Sequence, residues 1–184
     1  RRIDVDYIVR YSNATWLVID APGTAEHGLF LRDKDGKVQV HETVTEQVVP
    51  LGAPGARAGL YGRVELPDGR SAVPAFQLLA EKYLDPQYAP EAVARETGVP
   101  AETIRGRAAE IGRVAFDEAI SIDQPWTDVS GQRHQSYVGR PVSFHAMRGL
   151  SAHSNGFQTA RALHMLQVLI GAVDCPGGFR FEPP

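Results

Sequence analysis

A single cysteine, Cys175, stands among the 184 residues. One thiol cannot close a disulfide within the chain, and it cannot furnish a four-cysteine iron–sulfur or zinc site. Long apolar runs are missing too: no stretch reaches the roughly 20 residues that span a bilayer. The opening Arg-Arg-Ile-Asp-Val-Asp carries charge where a secretory signal needs an apolar segment. Charge is nowhere massed. Lys and Arg are scattered and the formal net charge is −3, so nothing marks a nucleic-acid surface, and no nucleic-acid partner is expected. Free-standing catalytic motifs are also lacking: there is no G-x-S-x-G, no H-E-x-x-H, no Walker loop and no complete G-x-G-x-x-G. What is present suits a globular chain, with 43% hydrophobic and 22% charged residues. The length allows one domain, or a domain with an appended lobe. The chain begins without Met on an amphipathic pattern and stops at Glu182-Pro-Pro, which reads as a segment of something larger.

Five stretches differ in texture. In residues 1–19, Asp4 can cap a short helix with Val5, Ile8 and Val9 on one stripe, and Trp16-Leu-Val-Ile begins a strand-like run with Trp16 as an anchor. Residues 20–73 alternate strand-length apolar runs with turn residues. Lys34-Asp-Gly-Lys37 predicts a hairpin between Leu29–Arg32 and Val38–Val40, Asp68-Gly69 predicts a second, and the whole reads as a β-rich lobe. His27 and His41 lie in it without metal-ligand spacing and read as surface or hydrogen-bonded histidines. Residues 74–114 form a helical connector. Pro74, Pro90 and Pro100 suit helix starts, Gly98 suits a helix end, and Ala92, Val93, Val99, Ile104, Ala108 and Ile111 are expected to be its buried stripe. Residues 115–139 read as loop, docked by Trp126, Arg133, His134 and Tyr137 or offering them to a site.

The most informative stretch is residues 140–184. Val142, Phe144 and Ala146 alternate with Ser143, His145 and Met147, which predicts a strand. A polar loop from Gly149 to Gly156 follows, then a helix from Phe157 to Ile170, then a glycine turn. Open α/β sheets bind ligands where such a loop meets the next helix. Ser, His and Asn side chains donate hydrogen bonds there, and glycines allow close backbone approach. Asn155 or Ser154 can equally serve as a helix cap. Cys175 lacks a paired histidine in the pattern and reads as a turn cysteine rather than a nucleophile.

The wording from Gly139 to Arg180, with Arg161-Ala-Leu in the helix and Pro176-Gly-Gly after it, resembles the catalytic subunit of molybdopterin oxidoreductases of the dimethyl-sulfoxide reductase family. Tyr88 and Thr97-Gly-Val-Pro-Ala-Glu-Thr-Ile-Arg resemble that family's helical connector, and Asp6-Tyr-Ile-Val-Arg-Tyr-Ser-Asn-Ala also resembles a segment of it. The likeness is greatest to the thiosulfate, polysulfide, tetrathionate and sulfite branch. The resemblance implies an α/β fold, a partial three-layer α/β/α core with the β-rich lobe and connector attached. It implies molybdopterin guanine dinucleotide holding Mo or W, and transfer of an oxygen or sulfur atom with two electrons. Carried over by position, Gly149, Ser151, His153, Asn155 and Gly156 would face the pterin or the substrate, with His153 the candidate to orient an oxyanion. No metal ligand is assigned.

The resemblance also implies partners. An iron–sulfur cluster is expected only in an N-terminal part absent from this sequence, and the metal ligand and a closing β-barrel domain are likewise absent. The isolated segment is therefore expected to be inactive and cofactor-free, and to self-associate through uncovered apolar surface. The parent assembly would join a membrane anchor and an iron–sulfur electron-transfer subunit to the rest of the catalytic subunit, on the cytoplasmic or periplasmic face of a prokaryotic inner membrane. Two alternatives are a redox-inactive scaffold of the same fold and an unrelated α/β ligand-binding domain.

Overall fold

A computed structural model describes residues 2–179; Arg1 and residues 180–184, the outer ends of the first and last sequence stretches, lie outside the described residues. Helix and strand are mixed, as expected for an α/β chain. The chain divides into two units, residues 8–96 and residues 1–7 together with 97–184. Helix α1 (Val5–Tyr11) runs across the division, and the Tyr7 N–H donates to Asp4 Oδ1 at 3.0 Å, so Asp4 is the cap that its position predicts.

In the unit of residues 8–96, the strands are β1 (Leu17–Asp20), β2 (Gln39–His41), β3 (Val48–Pro50), β4 (Val64–Glu65) and β5 (Ser71–Pro74). They make a three-stranded antiparallel sheet of order β1-β5-β4 and a β2-β3 hairpin. Leu17, Val18, Ile19, Ala72 and Val73 are all buried, so the central pair is covered on both faces and needs continuous apolar runs rather than alternation. Asp68-Gly69 does turn β4 into β5, with the Gly69 N–H donating to Leu66 O at 2.9 Å. The turn at Lys34–Lys37 forms as well, held by Asp33 Oδ1, which accepts from the Asp35 and Lys37 amides at 2.9 Å. Its ladder is shorter than expected: Arg32 and Val38 meet in an isolated bridge. Trp16 packs edge-on against Phe30 with ring centroids 5.0 Å apart. Helix α2 (Ala75–Tyr83) leaves β5 directly at Pro74, and α3 (Pro90–Thr97) begins at its proline and ends before Gly98.

The loop between β2 and β3 is organised by Glu42, which is buried. Its carboxylate accepts from the Val44, Thr45 and Arg57 amides and from Thr45 Oγ1. Next to it, His41 is hydrogen-bonded through Nε2 to Glu46 at 2.9 Å. His27 Nδ1 accepts from the Ala21 amide. Both histidines thus have the hydrogen-bonding roles read from their sequence context.

In the unit containing residues 97–179, α4 (Ala101–Asp117) follows Pro100 and continues past residue 114, the expected end of the connector. The stretch expected to be loop carries four short strands: β6 (Ile120–Ile122), β7 (Trp126–Thr127), β8 (Arg133–His134) and β9 (Tyr137–Gly139), paired antiparallel as β6-β9 and β7-β8. Residues 140–147 form no strand, against the alternation that predicts one. Pro141 has no N–H for a ladder, and the Val142 amide donates back to Arg140 O at 2.7 Å, which bends the backbone out of extension. None of the six residues of the expected connector stripe is buried: Ala92, Val93, Ile104 and Ile111 are half-buried, and Val99 and Ala108 are exposed. Helix α5 (Arg148–Ser151) and helix α6 (Gly156–Leu169) complete the unit, whose buried centre is Ala115, Ile170 and Ala172 with Ile111, Phe116 and Val142 against it. No helix of the described residues is long and apolar enough to cross a membrane.

An ion pair closes this unit. Arg140 donates to Asp4 Oδ2 from Nη2 at 2.7 Å and from Nε at 3.2 Å, and to Ala115 O at 3.2 Å. Its guanidinium lies 4.5 Å from the centroid of the Phe116 ring. Both charged side chains are largely enclosed, so removing either partner alone would cost on the order of 3 kcal/mol, far above the value of an exposed pair such as Arg107–Glu110.

Hydrogen bonds from Thr45 hold the Glu42 carboxyl down to about 2 from its ordinary 4.5. A depressed carboxylate contributes stability that is present above the unfolded-state value and lost as pH falls toward the folded one. Acid should therefore weaken the fold between about pH 5 and pH 2, and Glu42→Gln should flatten that part of the profile. Urea midpoints of the two proteins across this range test it, and parallel profiles would contradict it.

Candidate functional site

The site read from the sequence is the turn joining α5 to α6. Helix α5 is a single turn, and the Ser151 hydroxyl donates to Arg148 O at 3.1 Å. The chain then reverses through His153, whose carbonyl accepts from the Gly156 amide at 2.9 Å. The Asn155 carbonyl accepts from the Thr159 amide and hydroxyl, at 3.0 and 3.2 Å, as the first bonds of α6. Asn155 therefore occupies the N-cap position with its backbone, but its side chain makes no capping hydrogen bond. Capping does not account for that side chain.

The five residues named from sequence lie in this one turn with different surroundings. Gly149, Ser151, His153 and Asn155 are exposed, and Gly156 is buried. The side chains of His153 and Asn155 make no hydrogen bond among the described residues, which leaves a ring nitrogen pair and an amide open to a ligand. The two glycines have opposite explanations. A Cβ on Gly149 would meet nothing within 4 Å, so no neighbour among the described residues demands a glycine there. A Cβ on Gly156 would run into the Ser151 carbonyl, so the turn itself demands glycine at 156. Close approach to a cofactor is not needed to explain Gly156.

His164 lies on α6, half-buried, with Nδ1 3.1 Å from Gln167 Oε1. His145 is exposed. Among the described residues, no group of three or more His, Cys, Asp and Glu side chains could hold a metal ion.

Cys175 sits in the turn after α6. Its sulfur accepts from the Arg140 amide at 3.3 Å and donates to Gly171 O at 3.4 Å. Burial pushes the thiol above its ordinary value, so it carries little nucleophilic thiolate near neutral pH. The reading as a turn cysteine fits these contacts.

A second cluster was visible in sequence only in part. Trp126 stacks on His134, with centroids 4.5 Å apart and rings 19° from parallel, and on Tyr137 at 4.6 Å and 11°. Arg133 beside them is exposed. Asp128, which sequence did not single out, holds the group together. Its Oδ1 accepts from the Ser130 amide and hydroxyl and the Gln132 amide, and Oδ2 lies 2.9 Å from His134 Nε2. Asp followed two residues later by Ser-Gly is an Asx-turn signal that could have found it. The cluster pins the β7-β8 hairpin, which favours the docking reading over a catalytic one.

No protein-family model matches the chain. A curated relative is a sulfite dehydrogenase subunit of Allochromatium vinosum, 45% identical over 201 aligned positions that cover 98% of this chain and 19% of the relative. The chain thus spans about a fifth of the length of the curated relative it matches. This corrects the family reading made from the C-terminal wording. The likeness over nearly the whole chain is to a protein named as part of a sulfite dehydrogenase, and not to one named as a molybdopterin catalytic subunit of the dimethyl-sulfoxide reductase family.

The two glycines give a paired test. Gly149→Ala should leave stability within about 0.5 kcal/mol of the parent, and Gly156→Ala should cost about 2–3 kcal/mol in urea denaturation. Equal effects would show that the turn is not built as described. Cys175 should react with a thiol reagent several-fold more slowly at pH 8 than a free thiol. A rate matching glutathione, read by absorbance, would count against its buried contacts.

Proposed function

We propose that this chain is a portion of an oxidoreductase subunit that oxidises sulfite, and that the turn from Gly149 to Gly156 faces the substrate or the redox group. The similarity of 98% of the chain to part of a sulfite dehydrogenase carries the reading. The exposed, uncommitted side chains of His153 and Asn155 support the place assigned to the turn. In such a reaction sulfite takes an oxygen atom from water and gives up two electrons, and two protons leave.

The demands on the protein are specific. The substrate and product are oxyanions, so the site needs donors that tolerate a build-up of negative charge. Asn155 offers an amide, and His153 offers a ring N–H and a group able to pass a proton to solvent. Both stand on a turn whose backbone is fixed by Gly156 and by the first bonds of α6, so they are held on a rigid base. The redox group we assign to the whole subunit is molybdopterin guanine dinucleotide carrying Mo or W, which when bound would accept the electron pair as oxygen is transferred. The donor chemistry of His153 and Asn155 fits the oxygen-rich edge of such a group, while the Ser151 hydroxyl is given to Arg148 O. A three-layer α/β/α core completed by the rest of the subunit belongs to the same proposal. So does an assembly with a membrane anchor and an iron–sulfur electron-transfer subunit.

In the whole subunit, His153→Ala and Asn155→Ala should lower kcat/KM for sulfite by about 10–100-fold with ferricyanide as electron acceptor. The thermal midpoint should not move, because both side chains are exposed. Wild-type kinetics in both variants would remove the turn from the site, and absence of sulfite oxidation in the whole subunit would remove the function.

A further inference from the structure

Asparagine occurs at only two positions of the chain, Asn13 and Asn155, and Asn155 alone is followed by glycine. Glycine after asparagine favours loss of the side-chain amide, because it puts no side chain in the way of the attacking nitrogen and rotates freely. In that reaction the Gly156 backbone nitrogen gives up its proton and attacks Asn155 Cγ. The new N–Cγ bond closes a five-membered succinimide ring, the Cγ–Nδ2 bond breaks, and Nδ2 leaves as ammonia. Water then opens the ring at either carbonyl and leaves aspartate or isoaspartate at position 155. No oxidant or cofactor takes part.

The side chain is ready for this chemistry. Asn155 is exposed and its amide makes no capping hydrogen bond. The backbone is not ready. At ψ 11° the Gly156 nitrogen nearly eclipses the Asn155 nitrogen and is turned away from the side on which Cβ and Cγ lie. Ring closure needs rotation about the Asn155 Cα–C bond, which swings the whole peptide group between residues 155 and 156. Both ends of that group are tied. Its N–H donates to His153 O at 2.9 Å, and its carbonyl accepts from the Thr159 amide at 3.0 Å and the Thr159 hydroxyl at 3.2 Å. Gly156 is also buried against the Ser151 carbonyl, which leaves little room for it to swing.

We propose that Asn155 is a latent deamidation site, held closed by the hydrogen bonds on the peptide group that follows it and modified only when the α5–α6 turn opens. The rate in the folded protein is then the unprotected rate multiplied by the fraction of time for which the turn is open. The product changes the turn's chemistry, because an amide that donates hydrogen bonds becomes a carboxylate that only accepts them. One consequence rests on the sulfite reading: a negative charge at 155 would stand where an oxyanion must bind, so modification would lower activity.

The test incubates the full-length subunit and a synthetic peptide of residues 151–160 in the same mildly alkaline buffer. Digestion and mass spectrometry follow conversion of amide to acid at position 155. The peptide, which has no turn to open, is expected to react at least about ten-fold faster than the folded subunit. Thr159→Val removes the hydroxyl bond to the Asn155 carbonyl and is expected to speed modification of the folded subunit by about two- to ten-fold, the usual worth of one hydrogen bond. Equal rates in subunit and peptide would overturn the proposal, since the turn would then guard nothing. A peptide that keeps its amide would overturn it too. So would an unchanged rate in the Thr159→Val subunit, because the bonds on this peptide group would not be what closes the site. These rates do not depend on catalysis. A subunit that protects Asn155 yet fails to oxidise sulfite would refute the function and leave this inference intact.

Discussion

Arg140 and Asp4 are 136 positions apart in sequence, yet their charge pair is the element on which the second unit is assembled. Two separate pieces of chain meet at the guanidinium, the Asp4 carboxylate and the end of α4 with its Ala115 carbonyl and Phe116 ring, while the Arg140 backbone amide donates to the Cys175 sulfur. Asp4 is itself fixed from three directions. Its amide donates to Leu169 O at the end of α6, its carboxylate caps α1, and it packs where a Cβ on Gly171 would lie, 2.8 Å from Oδ2. A charge held this way has little freedom to drift, and the pair sets the register between the last turn of α6 and residues 2–7. The turn carrying His153 lies at the other end of α6. Its position within the unit thus depends on a contact a full helix length away.

Much of this was legible in the amino-acid sequence where a local rule decides the outcome. Asp4 caps α1, prolines open α3 and α4, Asp68-Gly69 turns β4 into β5, and the uninterrupted apolar run of α6 gives a helix within a residue of its expected bounds. Each of these follows from the backbone chemistry of one or two residues. The failures share a different cause. The alternation in residues 142–147 is real, but a strand needs a partner, and Pro141 together with the bend at Val142 removes the chance of one. The short strands between residues 120 and 139 lack the length for a period to show, and Trp126 of β7 stacks on His134 of β8 and Tyr137 of β9, contacts that no local pattern announces.

The candidate site divides along the same line. Ser151, His153 and Asn155 could be named because they are polar residues crowded between a strand-like pattern and a helix, and the turn does place them together on the surface. What could not be read was which of the two glycines the fold itself requires. Gly156 is consumed by the turn, and Gly149 is the one with space beside it. Asp128 shows the converse. A buried carboxylate that accepts three hydrogen bonds through one oxygen is an organising centre for its hairpin, but in sequence it is one acidic residue among several.

The β2-β3 lobe holds one more consequence. The ring of His41 fills the volume that a side chain at position 62 would need, 2.7 Å from the Cβ that Gly62 lacks, while Nε2 reaches Glu46 on the far side of the hairpin loop. Gly62 is also in the left-handed region, at φ 129°. Positions 41, 46 and 62 are therefore physically coupled. A side chain at 62 would need a smaller residue at 41 and a strained backbone as well, and a smaller residue at 41 would release Glu46 from its hydrogen bond and free the lobe's loop.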